Sequence, residues 1–207
     1  MDAHAWDERY AAVPQVWSRG PNQFVAAGLA GLPPGDALDL ACGEGRNALW
    51  LAGLGWRVTA IDFSAVALER GRGLAEAAGV QVDWRADDVL TAELPEADLV
   101  VLAYLQLPAD QRRLAVRRAW GCLRTGGTFF LVAHDTSNLT EGTGGPQDAT
   151  VLYSAADVLG DLGDLDDLGG TEVVRAERVA RVVAGEDDHG GAADRTAWDV
   201  LVHLVRR

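Results

Sequence analysis

The 207-residue chain has no lysine, and its 18 arginines face 31 acidic residues. The net charge of -13 leaves little room for the basic face that a phosphate backbone or an anionic lipid surface requires. Neither nucleic acid nor membrane is therefore expected as a partner. Cysteine is scarce as well, with Cys42 and Cys122 alone. They form no disulfide framework and no metal-ligand set, so no metal is expected. No apolar run is long enough to span a bilayer, and no basic-plus-apolar leader opens the chain, which points to the cytoplasm. With 48% hydrophobic and 24% charged residues, the composition is that of one folded domain with a sizeable core.

What the chain does contain is an alternation of strand-like and helix-like segments. After a proline-broken, aromatic-rich stretch over residues 1–34, short apolar runs at 37–40, 57–61, 80–84, 98–105 and 126–133 read as strands. Helical patterns lie between them, at 47–54, at 65–78 between Ser64 and Gly79, and from Pro108 onward. Such alternation predicts an α/β fold with a parallel sheet and helices on both faces. The helix after Pro108 should carry Arg112, Arg113, Arg117 and Arg118 on its outer side. Residues 134–153 read as a long functional loop, Ser154 with Asp157 as a capping box, and the acidic run 157–167 as a solvated helix face. Residues 172–183 and 197–205 read as an antiparallel hairpin closing the sheet.

The chemistry concentrates in "LDLACGEGRNALWLAGLGWRVTAIDF", residues 38–63. A glycine loop between a strand and a helix lets backbone approach a ligand, with N–H groups aimed at it. Asp39 and Asp62 fall near the carboxyl ends of consecutive strands, where ligands bind in open α/β sheets. Gly43, Gly45 and Ala48 spell G-x-G-x-x-A with Asp62 further on, a dinucleotide fingerprint that by itself suggests NAD. Asp39 weighs against NAD, because a carboxylate before the loop would face a negative pyrophosphate. It suits a cationic nucleoside instead, and S-adenosylmethionine (SAM) has a ribose, an ammonium, a sulfonium and no phosphate.

"LDLACGEGRN" with "VTAIDFS", followed in order by "ADDVL", "ADLVVLAYLQL" and "LRTGGTFFLV", resembles the motifs of the class I SAM-dependent methyltransferases. Within that family "CGEGRN" is similar to the small-molecule branch of tellurite-resistance and thiopurine methyltransferases. The resemblance implies a Rossmann-like three-layer sandwich with a seven-stranded, mostly parallel sheet and an antiparallel C-terminal strand. It implies one domain: a lid over 1–34, a SAM-binding core over 35–133, a substrate-side loop over 134–153, then a helix and hairpin.

It also implies a pocket. Asp39 would anchor the methionine ammonium, and the backbone at Ala41, Gly43 and Gly45 would pass close to the cofactor. Asp62 would bind the ribose hydroxyls and Phe63 would pack beside the adenine. Asp88 would accept the adenine amino group, with Val89 on the ring. Ala103 and Tyr104 would stand near the transferring methyl. His134, at the end of the fifth strand, is the candidate general base. Tyr10, Trp17, Arg19 and Tyr153 are candidates for the wall around a small acceptor. Ala41 stands where the family often has a third glycine, and Thr125 where proline is common. Two alternatives remain at this point. An NAD-dependent oxidoreductase is disfavoured by Asp39 and by the lack of a Tyr-x-x-x-Lys pair. A SAM-binding protein without catalysis would carry the same cofactor motifs.

Overall fold

A computed structural model describes residues 3–12, 20–163, 170–183 and 195–207. Seven strands form one sheet: β1 (Asp36–Leu40), β2 (Arg57–Asp62), β3 (Val82–Ala86), β4 (Ala97–Ala103), β5 (Leu123–His134), β6 (Thr171–Val183) and β7 (Arg195–Arg206). Their order is β3-β2-β1-β4-β5-β7-β6. The first five strands run parallel, and β7 lies antiparallel between β5 and β6. The expected mostly parallel sheet with an antiparallel C-terminal strand is therefore what the chain adopts. Strand order reverses beside β1, between β2 and β4, and this is where a doubly wound sheet opens a crevice.

The helices are α1 (Ala3–Ala12), α2 (Gln23–Leu29), α3 (Arg46–Gly53), α4 (Ala65–Ala78), α5 (Ala109–Gly121), α6 (Asn138–Glu141) and α7 (Ala155–Leu162). Local signals set their ends. Asn22 caps α2 by accepting from the Phe24 and Val25 N–H groups. Ser64 caps α4, which stops at Gly79 in a left-handed conformation. Ser154 and Asp157 form the expected capping box on α7.

Side-chain alternation along the buried strands divides the core into two layers. Phe129, Leu131 and Ala133 of β5 join a cluster with Val116, Trp120 and Val158 from α5 and α7. Phe130 and Val132 join the opposite cluster with Val25, Leu29, Ala48 and Leu51 from α2 and α3. Two expectations fail here. Arg112 does not lie on the outer side of α5: it is buried against Asp161 of α7, Nε to Oδ2 2.6 Å, with Arg113 also reaching that carboxylate. Asp161 correspondingly is no solvated residue, at 2% exposure. On the seam between α5 and α7 both side chains are withdrawn from solvent, and the pairing offsets the cost of burying each charge. The long 134–153 loop holds α6 and a 3-10 turn at Ala149–Val151.

Candidate functional site

The loop between β1 and α3 gathers the residues that the sequence singled out. Ala41, Gly43 and Gly45 take left-handed φ of 55°, 56° and 77°. Alanine accepts this conformation at a cost of about 1 kcal/mol, so the missing third glycine is tolerated with some strain. Tyr104, just past the end of β4, is also left-handed at φ 61°. Its N–H donates to Val132 O at 2.7 Å, holding the turn. Ala41 and Tyr104 follow the two adjacent central strands, so backbone strain gathers at the mouth of the crevice.

Gly45 has a second reason for being glycine. A Cβ there would lie 2.3 Å from the Trp84 ring, and one at Gly71 would lie 2.6 Å from it. Trp84 of β3 thus packs the loop against α4, and the space left by Gly45 is filled by protein rather than by ligand.

Asp39 is 1% exposed. Its Oδ2 accepts from the Ala48 N–H at 3.0 Å, while Oδ1 has no hydrogen-bond partner among the described residues. Burial pushes its carboxyl up to about 7, against the Ala48 N–H bond and the attraction of Arg46. A buried oxygen without a donor is costly, and the loop above it is where a cationic group would supply one. Asp62 is tied down instead: Oδ2 accepts from Gly43 N–H at 2.8 Å and Oδ1 from Ser64 N–H at 2.9 Å. Burial raises its carboxyl, the two N–H groups oppose that, and Asp7 adds repulsion. Asp7 of α1 accepts from Ser64 Oγ at 2.5 Å, which fastens α1 beside the end of β2.

The remaining cofactor candidates surround the same end of the sheet. Phe63 is half-buried. Asp88 is half-buried with Oδ1 accepting from Leu90 N–H at 2.9 Å, whereas Asp87 is exposed. Val89 is buried in the core layer below, and Ala103 ends β4.

A cavity of about 280 Å³ opens beside the glycine loop, lined by Pro21, Asn22, Gln23, Arg46, Tyr104, His134 and Arg181. Behind it stands Asp199 of β7, fully buried. Tyr104 Oη donates to Asp199 Oδ2 at 2.7 Å, and Arg181 Nε donates to the same oxygen at 2.6 Å. His134 Nδ1 lies 3.3 Å from Asp199 Oδ1, within ion-pair distance though off hydrogen-bond alignment. Burial works to raise the Asp199 carboxyl, but His134, Arg181 and Tyr104 together hold it below the ordinary range. The Tyr104 hydroxyl is pushed up, by burial first and by Asp199 next. His134 is fixed further by its N–H to Gln106 Oε1 at 2.8 Å. Its Nε2 edge lies against Gly145, where a Cβ would come within 2.8 Å. Through Gly145 the 134–153 loop packs against His134.

The proposed wall residues divide. Tyr10 of α1 is buried and close enough to Arg46 to influence its charge. Tyr153 lies elsewhere: it is 1% exposed in the α5–α7 core layer, its hydroxyl donates to Leu105 O, and Arg112 stands over its ring. Between the 3-10 turn that ends at Val151 and the capping box that starts α7 at Ser154, its side chain turns into the core. Trp17 and Arg19 lie outside the described residues. Sequence reasoning missed Asn22, Arg46, Arg181 and Asp199. Arg46 was readable in "CGEGRN", and Asp199 as the lone acid within the apolar run "AWDVLVHLV".

Residues 37–127 match the family model described as a methyltransferase domain. An uncharacterised methyltransferase of Mycobacterium tuberculosis is 36% identical over 107 residues, 51% of this chain and 53% of that protein. A tRNA 5-carboxymethoxyuridine methyltransferase of Escherichia coli is 32% identical over 108 residues, 49% of this chain and 41% of that protein. The chain thus spans about half the length of the curated relatives it matches. Among solved structures, one described under conversion of a disulfide bond into a thioacetal group during echinomycin biosynthesis superposes with a TM-score of 0.73. It is 23% identical, over 99% of this chain and 92% of that one. The N-methyltransferase NodS of Bradyrhizobium japonicum, bound to S-adenosylhomocysteine, gives 0.69 at 19% identity over 100% and 99% of the two chains. TehB of Haemophilus influenzae gives 0.67 at 15% identity, over 99% of this chain and 67% of that one. At these identities the likeness is one of fold.

Proposed function

We propose that this chain, whose residues 37–127 are a methyltransferase domain of the class I SAM-dependent kind, transfers the methyl group of SAM to a small nucleophile held in the adjoining cavity. The observation that carries the reading is the buried Asp39, with one oxygen still lacking a donor, beneath a glycine loop that Asp62 closes from the other side.

These residues fit the cofactor. Asp39 would take the methionine ammonium, directly or through water. Asp62 keeps one lone pair on each oxygen for the ribose hydroxyls after serving its two N–H groups. Phe63, Asp88 and Val89 would receive the adenine, with Ala103 beside the reacting carbon. When bound, SAM supplies a methyl on an already cationic sulfur, so the C–S electron pair leaves with that sulfur. What the protein must add is alignment and exclusion of water. Tyr104, strained in place and pinned by Asp199 and Asn22, gives the cavity a fixed wall.

The acceptor is small, because the cavity falls just under the usual range of about 300–1,000 Å³ for ligand sites. A sulfur, selenium or tellurium nucleophile would need little base assistance, and the superposable structure from echinomycin biosynthesis is itself described through chemistry at a disulfide. An oxygen or nitrogen nucleophile would deliver its proton to His134, which Asp199 positions. His134→Gln is accordingly expected to lower kcat by about 100-fold or more on a hydroxyl or amine acceptor and to leave thiol methylation nearly unchanged. Steady-state rates on both acceptor classes check this.

The net charge of -13 supports a small-molecule acceptor over nucleic acid in this reading, although one relative is a tRNA methyltransferase. A cytoplasmic location is part of the same proposal, and the free thiols of Cys42 and Cys122 are compatible with it. No helix among the described residues is long and apolar enough to cross a membrane.

Calorimetry with SAM and with NAD tests the assignment. Micromolar SAM binding and methylated product from a thiol panel are expected. NAD binding without SAM binding would return the loop to its dinucleotide reading, and SAM binding without product from any acceptor would leave a binding protein.

A further inference from the structure

We infer that Asp199 is a positioning residue that holds His134 in the tautomer protonated at Nδ1, so that Nε2 receives the proton of a hydroxyl or amine acceptor; this deepens, and rests on, the methyl-transfer reading above. Of the described side chains that line the cavity, only the imidazole can take up a proton near neutral pH. The arginines keep their protons, the amides have no basic nitrogen, and the Tyr104 hydroxyl is committed. Its Oη accepts from Asn22 Nδ2 at 3.3 Å and donates to Asp199 Oδ2 at 2.7 Å.

The two oxygens of Asp199 have separate duties. Oδ2 takes the Tyr104 hydroxyl and, at 2.6 Å, Arg181 Nε. Oδ1 faces His134 Nδ1 at 3.3 Å, with Arg181 Nη2 beside it at 3.4 Å. Asp199 is fully buried and its carboxyl is held below the ordinary range, so both oxygens only accept. A lone pair on the buried Nδ1 would meet the carboxylate in repulsion, whereas an N–H there is attracted to it. With the proton on Nδ1, Nε2 keeps its lone pair. Gly145, left-handed at φ 76°, spares that end of the ring a covering side chain, since a Cβ there would come within 2.8 Å of Nε2. In the reaction the acceptor's lone pair bonds the methyl carbon, the C–S pair stays on sulfur, and the acceptor's proton passes to Nε2. A soft nucleophile has no use for that last step, so a base held in one tautomer points to oxygen or nitrogen.

The test reads the tautomer directly. Long-range proton–nitrogen NMR spectra of the imidazoles are recorded on the full chain saturated with S-adenosylhomocysteine, at about pH 9, above the usual histidine range. His134→Gln assigns the signal, and the neutral Nδ1–H form is expected. Asp199→Asn should reverse it: Arg181 and Tyr104 claim the amide oxygen, the amide NH2 then faces Nδ1, and the ring proton moves to Nε2. With phenol as probe acceptor that variant should lower kcat by about 100-fold or more, as His134→Gln does. The double variant should lose no more than either alone. Thiophenol, which ionises near neutral pH, should lose far less in each. An Nε2–H or doubly protonated ring in the native chain, an unchanged tautomer in folded Asp199→Asn, or independent losses in the double variant overturn the inference. Equal losses on phenol and thiophenol overturn it too, because a purely structural Asp199 would give them. If Asp199→Asn does not fold, or phenol is not turned over, the native tautomer decides. S-adenosylhomocysteine binding with an Nε2–H ring overturns the positioning role and leaves methyl transfer standing. An Nδ1–H ring in a chain that binds no S-adenosylhomocysteine does the reverse.

Discussion

Asp39→Asn is expected to stabilise the ligand-free protein at alkaline pH while weakening its hold on SAM. The unfolded carboxyl titrates at its ordinary 3.8 and the folded one at about 7. Between those values the folded state holds a proton that the unfolded state has released. Stability of the native chain therefore falls as pH rises through this window, and the loss is complete above about pH 7. An asparagine keeps the oxygen that Ala48 N–H needs and carries no buried charge, so it lacks that slope. The stability difference in favour of the variant should widen by about 2 to 3 kcal/mol between pH 5 and pH 8. At about 2–4 °C per kcal/mol for a domain of this size, thermal melts at the two pH values read it directly. SAM affinity moves the other way. It should drop at least about tenfold in the variant at pH 8, and in the native chain it should decline below pH 7 as Asp39 takes up its proton. A variant whose advantage over the native chain is no larger at pH 8 than at pH 5 would mean that Asp39 is not the desolvated acid this geometry makes it.

Asp62→Ala should fail twice, in folding and in binding. Both Asp62 oxygens serve buried backbone donors, Gly43 N–H in the glycine loop and Ser64 N–H at the head of α4. Truncation strands those donors at about 1–3 kcal/mol each, so urea unfolding should show a loss of about 2 to 4 kcal/mol. SAM affinity should fall by about 100-fold or more, since two charge-assisted hydrogen bonds to ribose vanish. Asp62→Asn separates the effects. It retains an oxygen for one backbone donor and should recover much of the stability while recovering little of the SAM affinity. Full SAM affinity in either variant would remove Asp62 from the ribose site.

Much of the fold was legible because its signals are local. Ser64 before and Gly79 after residues 65–78 bound α4 through a cap and a left-handed turn, and neither depends on what α4 packs against. The apolar runs that became β1, β4 and β5 are too hydrophobic to lie anywhere but between two helix layers. The G-x-G loop, Asp39 and Asp62 were readable for the same reason, being set by one strand, one turn and one helix start. Charge reading failed where burial depends on partners distant in sequence. Arg112 and Asp161 each look like surface residues, 49 positions apart, and only the packing of α5 on α7 makes them a buried pair.

The cavity shows the same division more sharply. By itself the sequence determined a parallel α/β sheet and a glycine loop at the ends of β1 and β2, because short-range periodicity and turn chemistry carry both. Only the tertiary structure decided who faces the cavity. It brought Arg46, Tyr104, His134, Arg181 and Asp199 together from α3, the ends of β4 and β5, and from β6 and β7, and it sent Tyr153 into the core. The physical reason is that β7 inserts antiparallel between β5 and β6. That pairing sets His134 opposite Asp199 and Val179 opposite Asp199 from the other side. A register fixed by hydrogen bonds across three strands, rather than any local motif, places a buried carboxylate behind the cavity.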